Sequence, residues 1–319
     1  MKIKNTIKKA LAVLFIAVLS VNCKKIKEDN SNCGIILRFA FTKNTDNVDH
    51  FSSEVYNYTL FVFDETGKLV ATYEDIGPFE PDYFKRLTNL PAGTYTFVVW
   101  GNLSDNIALN TTGAGRKDDR GIKLKTTGAD IASQPGVLFY GKLDNVTVNN
   151  SYNQVVTIDL MKDTKAVQAI FHNLPLTPGQ EGEYVCKIVA ANGEYTFDNM
   201  PPALAAMLTY MPQNTFDVAG SKMTSNFVTL RLFDESWFKA EIILTFVPSD
   251  GSAPVEVMRV SLIDAIKAEY KDRAVDFKEF FIIQDVIVLN FYVDFTNGNF
   301  TVTVNGWKIG TSNMPTYIG

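Results

Sequence analysis

From Gly34 onward, apolar and polar residues alternate with a period of two over most of this chain. That is the pattern of strands that bury one face. Ile35, Leu37, Phe39 and Phe41 share one face, with Ile36, Arg38, Ala40 and Thr42 on the other. Tyr58, Leu60 and Val62 alternate with Asn57, Thr59 and Phe61; Asp64-Glu65-Thr66-Gly67 supplies a turn, and 68–73 returns as the second arm of a hairpin. Leu90-Pro91-Ala92-Gly93 turns the chain into a strand over 94–100, and further strands are expected at 137–140, 146–148 and 155–160. Between them, Asn102 to Asp130 is rich in Gly, Thr, Asp and Arg, and is expected to be a surface excursion with little regular structure.

A second set of strands is expected at 166–174, 184–189, 194–197, 227–233, 241–247 and 255–260. The clearest pair closes the chain: Leu289, Phe291, Val293 and Phe295 on one face, Asn297-Gly298 as the turn, then Phe300, Val302 and Val304. One helix is expected over 261–270, with Ser261 capping its first turn and Leu262, Ile263 and Ile266 at helical spacing. The apolar run Ala203–Leu208 after Pro201-Pro202 is a second, shorter helical candidate. Short strands with frequent turn signals make this an all-β chain of β-sandwiches. A charged break at Asp163-Thr164 divides it into an N-terminal domain, 33–163, and a C-terminal domain, 164–319.

The start of the chain follows other rules. Lys2, Lys4, Lys8 and Lys9 precede an apolar run from Ala10 to Val21. That run is too short to cross a hydrocarbon core about 30 Å thick, which takes roughly 20 helical residues. Residues 1–22 therefore read as a signal peptide. Leu19-Ser20-Val21-Asn22-Cys23 resembles a bacterial lipobox, in which Cys23 carries the acyl chains and becomes the mature N-terminus. Two or three chains make such attachment durable, at about 0.8 kcal/mol per buried methylene. Residues 23–32 are polar and without periodicity, a flexible tether between lipid and folded body. The expected location is the outer membrane, with the body exposed at the surface.

Composition narrows the function more than it defines it. The net charge of −5, with no basic block after the tether, excludes a nucleic-acid partner, whose phosphates require a positive face. Of three cysteines, Cys23 is assigned to lipid; Cys33 and Cys186 either pair or remain as two buried thiols. The two histidines, His50 and His172, fit no metal-ligand spacing. There is no nucleophile elbow and no phosphate-cradling loop, and Gly113-Ala114-Gly115 is not followed by a helical pattern. No catalytic residue, metal site or cofactor is expected. Trp100, Trp237 and Trp307 are candidates for a sugar-stacking platform, against core packing.

Several segments in order resemble a known family: Tyr58 to Val70, Tyr95 to Leu103, Leu138-Phe139-Tyr140-Gly141, Val155 to Leu160, and Val302-Thr303-Val304-Asn305-Gly306-Trp307. Behind a lipoprotein signal, this series is similar to the FimB-type fimbrial anchor subunits of type V pili in the Bacteroidales. The resemblance implies two tandem transthyretin-like β-sandwiches, with one or two short helices, and a role holding the base of a pilus at the outer membrane. The implied partners are membrane lipid and stalk pilins, joined by strand addition. It also implies that the first strand, Ile35–Phe41, is retained, although Arg38 lies within it and pilin maturation uses an arginine-specific protease. The tail 308–319 is the implied donor strand; it is sparse in apolar residues and interrupted by Pro315. A surface carbohydrate-binding lipoprotein is the alternative reading and requires aromatics exposed on one flat face. A secreted glycosidase would require two facing carboxylates.

Overall fold

The computed structural model of the chain describes residues 34–110, 117, 121–149, 153–174, 182–217, 221–273, 276–296 and 299–313. The first half contributes β1 (Ile35–Lys43), β2 (Asn57–Asp64), β3 (Leu69–Ile76), β4 (Phe84–Leu87), β5 (Gly93–Gly101), β6 (Ile107–Asn110), β7 (Gly121–Leu124), β8 (Thr126–Thr127), β9 (Asp130–Ile131), β10 (Phe139–Val148) and β11 (Gln154–Lys162). A four-residue helix, α1 (Phe51–Glu54), follows β1. Seven of these strands form one sheet in the order β3-β2-β5-β10-β11-β1-β4. Their alternate side chains, among them Leu37, Phe39, Leu60, Val62, Phe97, Val99, Ile158 and Leu160, build a single core. The sheet folds over that core: the rings of Phe39 in β1 and Tyr58 in β2 lie 4.7 Å apart although three strands separate them in the sheet.

The second half contributes β12 (Thr164–His172), β13 (Gly182–Ala190), β14 (Glu194–Thr196), β15 (Leu208–Tyr210), β16 (Gln213–Asp217), β17 (Lys222–Leu230), β18 (Ala240–Pro248), β19 (Val255–Ser261), β20 (Val286–Thr296), β21 (Asn299–Val304) and β22 (Trp307–Asn313). They pack as a sandwich of two sheets, β16-β17-β12-β20-β21-β22 and β19-β18-β13-β15-β9-β8. Helix α2 (Leu262–Glu269) starts where expected, with the Ser261 hydroxyl accepting the Asp264 N–H at 3.2 Å. A third helix, α3 (Phe277–Ile283), buries Phe280 and Phe281 and is capped by Asp276, whose side chain accepts the Lys278 N–H at 2.8 Å. The described residues thus hold three short helices, where one or two were expected. The apolar run 203–208 is not one of them: it makes a turn at Ala203-Leu204 and then enters β15. The strand expected at 227–233 lies earlier, at β17, and the chain leaves the sheet at Arg231.

The excursion at 102–130 is the larger correction. It forms β6 to β8 and leads into β9. Strand β7 pairs with β6 and with β14, and β9 joins the sandwich of the second half through Asp130 opposite Thr209. Ile107, Ile122, Leu124 and Ile131 are buried in the same core as the second half. They are too few and too widely spaced to print a period-two signal, so the polar residues between them dominate the local composition. Gly121 permits the close pairing: a Cβ there would stand 1.8 Å from the Tyr195 carbonyl oxygen.

Strands β2 and β5 explain why the halves meet so closely. Leu60-Phe61-Val62-Phe63 and Phe97-Val98-Val99-Trp100 are buried on both faces. One face fills the first core; the other, Phe61, Phe63, Val98 and Trp100, belongs to the second. Phe197 seals the contact, with ring distances of 4.7 Å to Phe61 and 5.5 Å to Phe63.

The charged break between β11 and β12 is also buried. Asp163 and Lys165 have no exposed surface. Asp163 takes a hydrogen bond from Asn199 at 2.9 Å and an ion contact from Arg231 at 3.1 Å. Lys165 donates to the Ile282 carbonyl at 3.0 Å and lies 3.5 Å from Asp285, which also holds Lys162 at 3.0 Å; Lys162 in turn reaches Glu54 at 2.7 Å.

Two predictions follow from this joint. Residues 164–319 expressed alone, without β6 to β9, lose a sheet partner and the cover over Phe197, and should show no cooperative melt by calorimetry. The intact chain should unfold in one transition. Burial lowers the Lys165 ammonium to about 8, partly offset by Asp285 and Asp163, against 10.5 in the unfolded chain. Below about pH 8 the folded protein carries the full cost of a buried cation. Between 8 and 10.5 the unfolded chain binds more protons, so this contribution makes stability rise with pH. In urea denaturation from pH 7 to 9.5, wild type should gain stability relative to Lys165→Met.

Candidate functional site: the seat of the first strand

The first strand occupies a slot with partners on both sides. It runs parallel to β11, with Ile35 opposite Gln154 and Ala40 opposite Asp159, and antiparallel to β4, with Ile35 opposite Leu87 and Arg38 opposite Phe84. Ile35, Leu37, Phe39 and Phe41 are all buried, as their alternation predicts. Phe39 sits among aromatic rings: Tyr58 at 4.7 Å, Phe51 at 5.4 Å and Tyr83 at 6.0 Å. Phe41 meets Phe139 edge-on at 5.0 Å. Four such side chains each contribute about 1.5–3 kcal/mol on burial, and with the two ladders they offset the backbone ordering of the strand.

Both ends of the slot are fastened. At its entry, a Cβ on Gly34 would come within 2.3 Å of the Leu87 carbonyl oxygen. At its exit, the Phe41 N–H donates to Asp49 at 2.9 Å, while the Thr42 N–H and hydroxyl both donate to Asp159 at 3.0 Å. These carboxylates stand in for ladder partners at the irregularity between Ala40 and Lys43, beyond which Lys43 pairs with Met161.

The two edges of the seven-stranded sheet, β3 and β4, are tied by side chains. Asp75 on β3 accepts from Lys85 on β4 at 2.8 Å, from Tyr58 at 2.8 Å and from Tyr83. Partial burial works to raise the Asp75 carboxyl, but these donors outweigh it and hold the group below its ordinary value. Tyr83 is pushed up to about 12, by burial first and by Asp75 second. The cluster closes the slot around β1, and sequence reasoning missed it, because its members come from separate strands with no local spacing.

The other residues singled out from sequence fall in varied places. Cys23 and Cys33 lie outside the described residues, and Cys186 is a buried thiol raised by its apolar surroundings. His50 bonds Asp46 at 3.0 Å; His172 stacks on Tyr292 at 4.6 Å and bonds Asn290 at 3.1 Å. Among the described residues no three His, Cys, Asp or Glu side chains are grouped to hold a metal. Trp100 is fully buried and its ring N–H has no acceptor, so it belongs to the core and to no platform. Trp237 packs on Phe233 and Phe238, and Trp307 lies under the Lys271 ammonium; both are about half exposed. The tail through Asn313 is a strand paired with β21 of its own chain, with Trp307 opposite Val304 and Asn313 opposite Asn299; 314–319 lie outside the described residues.

Arg38 points outward from the middle of β1 while its backbone is paired on both sides. A protease must take an extended, unpaired segment, so cleavage there requires β1 to leave its slot. The folded chain should resist an arginine-specific protease at Arg38. Phe39→Ala should cost about 3–5 kcal/mol in chemical denaturation and open Arg38 to that protease.

The fold has solved relatives. The fimbrial anchor protein Mfa2 from Porphyromonas gingivalis is similar over 88% of this chain and 99% of its own, with a TM-score of 0.71 and 20% identity. A Bacteroides ovatus protein, provisionally assigned as an adhesin, covers 86% of this chain and 94% of its own, with a TM-score of 0.70 and 22% identity. A Bacteroides thetaiotaomicron protein, provisionally assigned as polysaccharide-binding, covers 89% and 99%, with a TM-score of 0.69 and 23% identity. No curated protein matches the chain. The model of one family, "Fimbrillin-A associated anchor proteins Mfa1 and Mfa2", matches residues 28–313, most of the chain. By that match the chain belongs to the Mfa2 family of fimbrial anchor proteins.

Proposed function

We propose that this protein is a lipid-anchored subunit that attaches a type V pilus to the outer membrane and joins pilin by β-strand addition. Family membership supplies the fimbrial setting. The observation that carries the rest is the filled slot of β1. In a fibre built by strand addition, each subunit lends a strand to a neighbour whose own slot is vacant. A subunit that keeps its first strand has no vacancy to offer and so ends the series. An end subunit with a lipid at its own N-terminus is an anchor.

Cys23 carries that lipid, residues 23–32 are the tether, and the body divides at 163/164 into two tandem sandwiches, the second of which also takes in β6 to β9 from before that point. The net charge of −5 for the whole sequence, more negative once the four lysines of residues 1–22 are set aside, fits a body held off an anionic leaflet by its tether rather than laid upon it. The carbohydrate-binding alternative loses Trp100 from its platform, because that ring is buried.

Metabolic labelling with palmitate tests both parts. Label should enter the wild-type protein and vanish in Cys23→Ala, and pilin should co-purify with the labelled protein from membranes. Label that persists in the variant would remove the anchor point. Polysaccharide recovered in place of pilin would favour the alternative.

A further inference from the structure

Strand addition needs an edge, and the sheets leave few open. Edges β3 and β4 are tied together through Asp75 and Lys85. Strand β22 lies alongside β19, bringing the outer margins of the two sandwich sheets together, and β19 carries Arg259 paired with Glu241 and Glu256. Strand β8 has two residues, β14 three and β6 four, too short to template a partner. Among the described residues the remaining edge is β16, Gln213–Asp217, paired on one side with β17 from Gln213 opposite Asn226 to Asp217 opposite Lys222.

This edge lacks the usual guards. Proteins blunt exposed edges with lysine, proline or inward-pointing charge, yet all five β16 residues are exposed and only Asp217, at its end, is charged. The approach to it carries one guard, Pro212 directly before Gln213, and is otherwise free of charge. From Asn199 to Phe216 there is no Asp, Glu, Lys or Arg, in a chain where such residues make up 20%. Met211, just before the edge, and Phe216 within it are 44% and 47% exposed. Phe216 stands opposite Met223, which is fully buried, so its ring projects on the core side of the sheet, at the margin of the sandwich.

We propose that β16 is the docking edge for an extended segment of the pilin partner, a segment uncharged along its length and apolar at alternate positions. This rests on the anchor reading above. Free backbone N–H and C=O groups along an edge select an extended backbone. The charge-free surround selects against a charged one, and the half-exposed Phe216 offers cover to apolar side chains on the core side of the edge. Methionine suits such a contact because its thioether adapts to varied partners. With β1 seated in its own slot and β22 paired with β21, neither can serve the pilin without first being displaced.

The test uses the full lipoprotein and pili sheared from the cells that make it. Phe216→Lys places an edge lysine on an exposed position; Val155→Lys, on an exposed residue of β11, is the control. Phe216→Lys should weaken pilus binding at least about tenfold, as losing a buried aromatic contact does, while Val155→Lys binds as wild type. In hydrogen exchange of the wild-type protein, residues 213–217 should gain protection when pili are added, a readout that holds even if the variant fails to fold. Unchanged binding by folded Phe216→Lys, or unprotected 213–217 in a wild-type complex, overturns this site and leaves the anchor reading standing. Wild-type protein that binds no pili overturns the anchor reading itself. Protection of 213–217 by added copies of the protein alone, with dimerisation, would replace pilin by a second copy as the occupant.

Discussion

Burial of β2 and β5 on both faces is the constraint on which the architecture depends. A strand with one wet face can end a domain; a strand with two dry faces must be covered twice. The first covering is the sheet's own fold-over, centred on the rings around Phe39. The second is supplied by residues far along the chain, chiefly Phe197 and the strands beside it. Once that is required, β6 to β9 must run across the joint, and the connection at Asp163 has no room to be a solvated linker. The buried charges there follow from the same closeness. Asp163, Lys165 and Arg231 are held by one another and by Asn199 and Asp285, because an unpaired ion in that position would be prohibitive.

Much of this was legible in the sequence and part was not, for physical reasons. Alternation over 35–41 and 289–293 gave away those strands because each has a regular dry face, while 57–63 was found from its turn and hairpin pattern although both its faces are buried. Ser261 marked its helix because a cap is a local event. The resemblance to fimbrial anchors, carried by dispersed segments, agrees with the family match. What stayed hidden is whatever depends on distant chain. The four strands at 107–131 owe their burial to the second half, so their own composition speaks of a loop. The Asp75 cluster draws on three strands and one connecting loop. Trp100 illustrates a third limit: sequence leaves a sugar-stacking platform and core packing both open for it, and only the covering of β5 from both sides puts it in the core.

Relatives with about one residue in five in common share this fold across almost their whole length. Such divergence is tolerated because a sandwich needs alternation and volume more than particular side chains. Positions fixed by geometry are fewer. Gly34 and Gly121 sit where another backbone passes too near for any Cβ. The Thr42 and Asp159 pair fastens β1 where its ladder with β11 is interrupted.

The parallel pairing of β1 with β11 has a mechanical consequence. Any pull arriving through the residues before Gly34 enters the fold at the start of β1 and runs along its axis. The hydrogen bonds to β11 and β4 lie across that axis, so they are loaded together, in shear, rather than opened one after another like a zip. The four buried side chains would have to be dragged past their neighbours in the same motion. The direction in which this strand was laid down therefore sets how hard the molecule is to uproot, independently of its equilibrium stability.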